Sequence, residues 1–288
     1  LFNTDNIPEV KQVYKDLDYL FKKNNDGYYT YNSDDYYAYL ENLSDNANFQ
    51  GYKYESQGKG FFPFTEPIYS EDTLKTASDN AVLGSRGVNH YFGMTISARF
   101  MQPRNGEIAS ADGSGENEDM IFSFSGDDDV WVFIDDVLVL DLGGIHAAVS
   151  GDINFSTGEI TTEDIDGTVS RTNIKQVFRE AGVDVSDPSA FSQDRNTFAD
   201  YTTDHTIKFF YLERGNSESN CEITFNFPTI PSDSVVVAKE VVDENQKTMD
   251  YVQDMDFEKK KKKCSDDEFE NYSNAPYHLY DSYGTEID

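Results

Sequence analysis

Basic side chains are scarce in this sequence of 288 residues, where 23 lysines and arginines stand against 54 aspartates and glutamates. The formal net charge is −31 at pH 7. Because phosphate groups repel a chain of this charge, the composition argues against nucleic-acid partners and against anionic membranes. It is typical instead of a soluble extracellular or cell-surface protein, and it favours the collection of Ca²⁺.

Cysteine is scarcer still. Cys221 and Cys264 occur without a CxxC pattern or a Cys/His cluster, which argues against structural zinc. We expect Cys221 in the core, and its pairing with Cys264 stays open. The sequence has no signal peptide and no apolar run of about 18 residues, so it predicts no direct membrane insertion. Since Leu1 begins either a mature chain or a fragment, missing targeting segments say little about location.

Catalytic signatures are missing as well. The sequence has no G-x-S-x-G, no H-E-x-x-H and no phosphate-binding glycine loop. Among so many acidic residues a glycosidase-like carboxylate pair could be assigned anywhere, and none stands out. The sequence therefore predicts that the chain is not an enzyme.

Apolar and aromatic residues are plentiful, and many recur with a period of two. With 38% hydrophobic and 14% aromatic residues, the chain can bury a core. Tyrosines at 28–39 favour a first pair of strands. Alternation predicts further strands at 90–100, 121–125, 130–134, 137–141, 152–155, 158–162, 206–212 and 221–227. Apolar spacing predicts short helices at 9–21 and around 174–178, the second between Thr172 and Gly182. The predicted fold is mostly β and antiparallel, with short helices.

The composition changes at residues 228–233, where two prolines form a linker. We predict a first domain over residues 1–228 and a second, partial domain or stalk over residues 229–288. The second segment contains a run of lysines at 259–263, which we interpret as a solvated loop. It is short for a sandwich that folds by itself.

Three consecutive aspartates, Asp127, Asp128 and Asp129, follow Gly126 between two β-type runs. Adjacent carboxylates repel each other, and a hard cation such as Ca²⁺, with roughly six to eight oxygen ligands, would neutralise them. Candidates for the remaining ligands are Asn154, Asp152, Asp141 and the carbonyl groups of residues 142–144. The alternative is a capped turn whose carboxylates accept backbone N–H groups. The EF-hand spacing is absent, and the residues leave both interpretations open.

Other polar or aromatic residues that stand out in the sequence have mainly structural interpretations. Asp135-Asp136 joins two alternating runs as a tight hairpin. His146 is expected to form a hydrogen bond in the loop near the aspartates rather than to catalyse a reaction. Arg214 follows an apolar strand and is expected to pair with a carboxylate. Trp131 alternates with valines in a strand, so we predict that it lies in the core.

The aspartate segment resembles the fibro-slime type of PA14 domain in the run SGDDDVWVFIDDVLVLDLGGIHAAVSGDINFSTGE. This β-sandwich module belongs to bacterial surface proteins and is related to slime-mould proteins and, more distantly, to yeast flocculins. Further landmarks of the resemblance, which covers residues 1–228, lie at 27–33, 61–64, 89–94, 210–215 and 219–220. The resemblance implies a PA14-like antiparallel β-sandwich.

The resemblance also implies a ligand site. In sugar-binding PA14 lectins, an adjacent Asp-Asp pair joined by a cis peptide holds a Ca²⁺ ion that in turn holds sugar hydroxyls. Asp127 and Asp128 match this pair. Asp129 takes the place of a small residue and, with His146, is a candidate for ligand contact. Asn154 and Asp152 are added from the residues alone and not from the resemblance, so the expected metal site comprises Asp127, Asp128, Asn154 and Asp152.

Residues after 233 resemble the opening of a CnaB-type repeat of Gram-positive pilins and adhesins. Such repeats are Ig-like β domains in which a lysine of the first strand forms an isopeptide bond with a late asparagine. Lys239 matches that lysine, and NAPYHLYDSYGTEID resembles a later strand. The expected asparagine is not among the 288 residues. We therefore expect a small or incomplete Ig-like domain in which Lys239 lacks its partner.

Together these features predict the exposed head of a bacterial cell-surface adhesin. It would bind a carbohydrate, or another cell-surface ligand, through Ca²⁺, and would be located outside the cell, at the cell wall or surface. Two alternatives stay open. One is a structural subunit that self-associates in an extracellular filament or cell-wall layer without sugar binding. The other is an accessory module of a polysaccharide-degrading enzyme.

Overall fold

The computed structural model describes residues 13–15, 17, 19–41, 48–53, 60–64, 69–70, 73–74, 89–111, 114–144, 146–214, 219–227, 279–280 and 286–287. The chain divides into two compact units, Leu1–Ser232 and Asp233–Asp288. The sandwich described below belongs to the first unit.

Strands dominate the first unit, and their bounds follow the alternating segments of the sequence closely. In chain order they are β1 (Lys22–Lys23), β2 (Tyr29–Asn32), β3 (Tyr36–Glu41), β4 (Asn48–Lys53), β5 (Tyr69–Ser70), β6 (Thr73–Leu74), β7 (Phe92–Met101), β8 (Glu107–Ala109), β9 (Asn117–Asp119), β10 (Ile121–Gly126), β11 (Asp129–Ile134), β12 (Val137–Leu142), β13 (Val149–Asn154), β14 (Glu159–Glu163), β15 (Val169–Asn173), β16 (Asp204–Glu213) and β17 (Cys221–Phe225). A 3-10 turn occupies Arg104–Gly106.

The strands form two main antiparallel sheets. The larger has the order β1-β2-β17-β10-β13-β14-β15, and the smaller has the order β12-β11-β16-β7. Aromatic rings join the two sheets: Phe122 and Phe124 lie 6.1 and 5.5 Å from Phe209, measured between ring centroids. A Cβ on Gly151 would lie 2.4 Å from the side chain of Leu140, so glycine permits this close approach of the sheets. The prediction of a mostly-β antiparallel fold is confirmed.

The alternation along β11 places aliphatic and aromatic residues on opposite faces. Val130, Val132 and Ile134 are completely buried, whereas Trp131 and Phe133 are half-buried on the outer face. The prediction that Trp131 lies in the core is therefore wrong. Because neighbouring residues of a strand point to opposite sides, the three aliphatic side chains take the inner face and exclude the indole from it.

The hairpin between β11 and β12 confirms the prediction for Asp135-Asp136. Both residues have positive φ, +49° and +64°, as a type I′ turn requires. Asp135 also accepts a hydrogen bond from Nδ1 of His205 at 2.6 Å and one from the backbone N–H of Thr206 at 2.8 Å. The turn is thereby fixed to the start of β16.

One α-helix, α1 (Ile174–Glu180), occurs in the part of the chain that the structure describes. Its cap is Asn173 rather than the predicted Thr172, since the Asn173 side chain accepts a hydrogen bond from the N–H of Gln176 at 2.9 Å. Thr172 lies within β15. Gly182 has φ +86° just beyond the helix, as the sequence predicted for its end.

The helix predicted at residues 9–21 is wrong in its described part. None of residues 13–15, 17 and 19–21 is helical. Tyr19 has φ +72°, which a continuous right-handed helix excludes. Leu20 is buried, and Tyr14, Leu17 and Phe21 pack partly against the core from this non-helical segment. Residues 9–12 lie outside the described part.

In the second unit the described residues form two short antiparallel strands, β18 (Leu279–Tyr280) and β19 (Glu286–Ile287). Lys239, Cys264 and the lysines at 259–263 lie outside the described residues. The predictions of an incomplete Ig-like domain and of a Lys239 that lacks its isopeptide partner stay predictions, and the pairing of Cys221 with Cys264 stays open.

Candidate functional site

The three aspartates form the turn through which the chain passes from the larger sheet to the smaller one. β10 ends at Gly126 and β11 begins at Asp129. Asp128 has φ +63°, a left-handed conformation that aspartate adopts more readily than most residues. A Cβ on Gly126 would lie 2.3 Å from the carbonyl oxygen of Asn220, so only glycine fits there. The turn is therefore packed tightly against the segment that leads into β17.

Asp129 forms a two-pronged ion pair with Arg214, as the sequence predicted for this arginine. Nη2 of Arg214 lies 2.9 Å from Oδ1 of Asp129, and Nε bonds Oδ2. The backbone N–H of Gly144 donates to the same Oδ1 at 2.6 Å. The Asp129 side chain is 2% exposed and that of Arg214 43% exposed, so a buried carboxylate meets a guanidinium at the surface.

This pair shifts the pKa of both partners. Burial by itself would raise the pKa of Asp129, but the hydrogen bonds from Arg214 and Gly144 outweigh it and hold that pKa below its ordinary value. The same contact with Asp129 raises the pKa of Arg214. Asp129 is therefore ionised at neutral pH, and its charge is neutralised within the chain.

Asp127 and Asp128 are also buried, at 5% and 2% exposure, and they accept backbone N–H groups. Oδ1 of Asp127 bonds the N–H of Asn220, and the N–H of Asp127 returns a bond to the Asn220 carbonyl at 3.2 Å. Oδ2 of Asp128 accepts the N–H of Arg214 at 2.6 Å. The two aspartates thus hold both ends of the connection between β16 and β17, in the manner of a capped turn.

A buried polar layer continues inward from this connection. The Tyr211 hydroxyl lies 2.9 Å from Oγ of Ser219 and donates to Glu213 at 3.2 Å. Ser219 donates in turn to the carbonyl of Phe61 at 2.8 Å. Burial raises the pKa of Tyr211 far above its ordinary value. The layer ties the segment at Phe61 to the aspartate end of the sandwich.

His146 lies in the loop that Asp129 holds through Gly144. Its ring nitrogens contact two carbonyl oxygens, with Nδ1 2.9 Å from Ala147 and Nε2 3.0 Å from Leu142. The ring also lies near enough to Asp129 to help lower the pKa of that carboxyl. The structure places His146 beside the aspartates, where its described contacts stabilise the loop.

His90 is a neighbour of the aspartates that the sequence did not single out. Burial lowers its pKa, and the charge of Asp128 opposes that effect. Its ring packs edge-on against Phe62 at 5.1 Å between centroids. Nδ1 of His90 is buried and, among the described residues, has no hydrogen-bond partner.

Asn154 and Asp152 do not join the aspartates, so their assignment as further metal ligands is wrong. Antiparallel pairing places Asn154 opposite Ile121 and Asp152 opposite Ser123, towards the far end of β10. At about 3.4 Å per residue, these positions lie roughly 20 and 14 Å along the strand from Asp127. Asn154 instead caps a local turn and donates to Asp119 at 2.8 Å. Asp152 accepts from Thr161 at 3.4 Å.

The described residues fit only part of a Ca²⁺ site. Among them, no group of three or more His, Cys, Asp or Glu side chains is arranged to hold a metal ion. Both oxygens of Asp129 are engaged by Arg214. The carboxylates of Asp127 and Asp128 together have four oxygens, fewer than the roughly six to eight that Ca²⁺ takes. Their peptide is trans, unlike the lectin pair. At Asp129, the guanidinium fills the neutralising role that the sequence assigned to a cation.

Two partners of the aspartates act through backbone N–H groups, a role that the sequence analysis did not assign to them. Asn220 and Gly144 contribute backbone N–H groups, which any residue type could supply. Only the distant pairing of β10 with β17 and of β11 with β12 brings them to the turn. Arg214 was identifiable because a charged side chain directly after an apolar strand needs a partner.

The described residues contain no helix long and apolar enough to cross a membrane. The candidate site, which consists of the three aspartates and their partners, is a charged and hydrogen-bonded end of the antiparallel β-sandwich. No protein-family model matches the chain, and no solved structure matches it.

The chain is similar to psi proteins of Dictyostelium discoideum. It is 28% identical to psiF over 180 residues, which are 62% of this chain and 20% of psiF. It is 37% identical to psiD over 102 residues, or 35% of this chain and 17% of psiD. A segment of 35 residues is 63% identical to psiG and covers 12% of this chain and 5% of psiG. The chain spans about a fifth or less of the length of these relatives.

Proposed function

We propose that this chain is the ligand-binding head of a cell-surface adhesin and that its ligand is a glycan. The observation that carries the proposal is the set of buried aspartates, which fasten two connections at one end of the sandwich. Loops held in this way are preorganised, so a ligand does not have to order them when it binds. These contacts stabilise the fold, and they also keep the two connections in one arrangement, as a binding surface built from loops requires.

Supporting geometry lies around the same turn. Asp129 holds the β12–β13 loop through Gly144, and Asp127 and Asp128 hold the β16–β17 connection. Ser219 adds the segment at Phe61. These segments come from distant parts of the chain and meet at one end. The high acidic charge disfavours anionic ligands, whereas a neutral glycan meets no such repulsion.

A glycan array probed with the labelled full chain tests the proposal. We expect saturable binding to a set of glycans that share one sugar unit. Arg214→Gln, which leaves the buried Asp129 carboxylate without its cation and so disturbs the turn that holds the loops, should weaken this binding. The matched control Asp136→Asn, on an exposed hairpin, should leave it unchanged. A folded chain that binds no glycan on the array would refute the proposal.

A calcium-dependent form of this binding is the second candidate. It is favoured by the burial of two adjacent carboxylates, those of Asp127 and Asp128. Thermal melts in chelator and in millimolar Ca²⁺ test it. Binding would add about 2.7 kcal/mol to the free energy of unfolding at a hundredfold excess over Kd. Asp128→Asn should abolish that gain and Asp152→Asn should keep it. Coincident melts would exclude calcium and leave the calcium-independent form.

A further inference from the structure

The outer face of the four-stranded sheet carries aromatic side chains at its centre. Trp131 on β11 lies directly opposite Phe210 on β16. Phe133 packs edge-on against Phe210 at 5.6 Å between ring centroids. All three are half-buried, whereas the inner positions of the same strand are filled by completely buried aliphatic residues. Packing of the core therefore does not account for these rings.

Polar side chains flank the rings along the strand register. Asp141 on β12 lies opposite Trp131, and Thr95 on β7 lies opposite Phe210. Both are exposed. A row of carboxylate, indole, phenyl ring and hydroxyl therefore crosses the four strands. With about 4.8 Å between strands, the row spans roughly 14 Å.

The basic side chains around this face are already paired within the chain. Lys208 donates to Asp136 at 2.6 Å, Arg99 bonds Asp204, and Arg214 bonds Asp129. The face therefore presents little uncompensated positive charge to an anionic ligand. The net charge of −31 disfavours such a ligand further. A neutral ligand meets no such repulsion.

The loop held by Asp129 borders the indole. A Cβ on Gly143 would lie 3.0 Å from Nε1 of Trp131, so the glycine lets the loop lie directly against the ring. The next residue, Gly144, donates its N–H to Asp129. The aspartate turn thus positions the loop beside Trp131, and the two features are parts of one surface.

We propose that a neutral polysaccharide binds across this face, with its sugar rings stacked on Trp131 and Phe210. One side of a pyranose ring presents C–H groups that pack on an aromatic face, and its hydroxyls reach outward to Asp141 and Thr95. Binding sites that combine aromatic walls with a few placed polar groups follow this arrangement. The inference rests on the proposed function and assigns its binding surface.

The single tryptophan of the chain makes a direct test possible, because its fluorescence reports on this face alone. The full chain is titrated with laminarin, xyloglucan, mannan and dextran while tryptophan emission is recorded, and binding is measured in parallel by calorimetry. We expect a saturable blue shift with at least one of these polysaccharides, with matching midpoints in both measurements.

Variants separate this face from other surfaces. Trp131→Ala should weaken binding at least about tenfold, as loss of a central aromatic contact does, and Trp131→Phe should restore part of it. Tyr19→Ala, which removes an aromatic ring that is 74% exposed, is the matched control and should bind normally. If Trp131→Ala does not fold, Thr95→Glu takes its place. It adds a carboxylate at an exposed strand position of the same face and should weaken binding in the same way.

Each outcome decides the inference. One outcome is calorimetric binding without a fluorescence change, with the same affinity in Trp131→Ala and Thr95→Glu. This result would place the glycan on another surface. It would overturn this inference and leave the proposed function standing. If the chain binds none of the polysaccharides and no glycan on the array, both this inference and the proposed function are overturned. An emission shift that depends only on protein concentration would assign the face to a second copy of the chain and overturn the inference.

Discussion

Removing either partner of the Asp129–Arg214 pair should destabilise the fold, and the two losses should differ. In Asp129→Asn the amide oxygen can still accept the N–H of Gly144, and the arginine, at 43% exposure, regains water. In Arg214→Gln the carboxylate stays at 2% exposure without its cation. A stranded buried charge costs more than a stranded exposed one, so Arg214→Gln should be the more damaging change.

The structure sets the size of the smaller loss. Asp129→Asn removes charge-assisted hydrogen bonds from a buried acceptor, which costs about 2 kcal/mol in free energy of unfolding. For a domain of this size, that corresponds to a fall of roughly 4–8 °C in Tm. The control Asp136→Asn breaks an exposed ion pair with Lys208 and should cost about 0–1 kcal/mol. Urea unfolding followed by circular dichroism measures all three variants.

The pH dependence of these losses adds a second test. The pKa of Asp129 is lowered in the folded state, so its contribution to stability is present above its unfolded pKa of about 3.9 and is lost as the pH falls through the folded value. The difference between wild type and Asp129→Asn should therefore shrink below about pH 4. The loss in Arg214→Gln should also shrink on acidification, because protonation removes the stranded charge.

The reasoning fails if Asp129→Asn and Arg214→Gln are as mild as Asp136→Asn, or if Asp129→Asn is the worse of the two. Either result would mean that the pair is solvated in solution and does not hold the loops. The double variant Asp129→Asn/Arg214→Gln sharpens the test. It should be more stable than Arg214→Gln alone, because it leaves no buried charge without a partner.

Three further predictions concern single contacts. Gly126→Ala forces a Cβ against the Asn220 carbonyl and should cost about 1–3 kcal/mol in urea unfolding; an unchanged midpoint would contradict the close packing of the turn. Asn173→Ala should cost about 1 kcal/mol through loss of the helix cap, and Thr172→Ala less; the reverse order would contradict the observed cap. Burial, followed by a 2.8 Å hydrogen bond to Glu118, raises the pKa of Tyr28 to about 12, and Glu118→Gln should lower it in an NMR titration.

The strand pattern was predictable because alternation directly reflects burial on one face. β10, β11 and β12 lie within a residue or so of their predicted bounds. The face on which Trp131 lies was not predictable, because an alternating run of Val, Trp and Val leaves open which set faces inward. The pairing with β16 decides that question, and it depends on residues 73 to 83 positions away.

The candidate site was predictable only at its centre. Three adjacent aspartates after a strand mark a special turn, and Arg214 marks a partner in need of a carboxylate. Asn154 and Asp152 were assigned wrongly because proximity along the chain was taken for proximity in space. In an antiparallel pair, the residues that follow a long loop run back along the strand and away from its end.

The pairing of β2 with β17 has a mechanical consequence. β17 runs antiparallel to β2, with Phe225 opposite Tyr29 and Glu222 opposite Asn32. The first residue of β2 and the last residue of β17 therefore lie side by side at one end of the pair. A force applied between residues 28 and 226 would open the ladder one hydrogen-bonded pair at a time, rather than loading all pairs in parallel. A force applied at only one of these two residues would not pull the two strands apart.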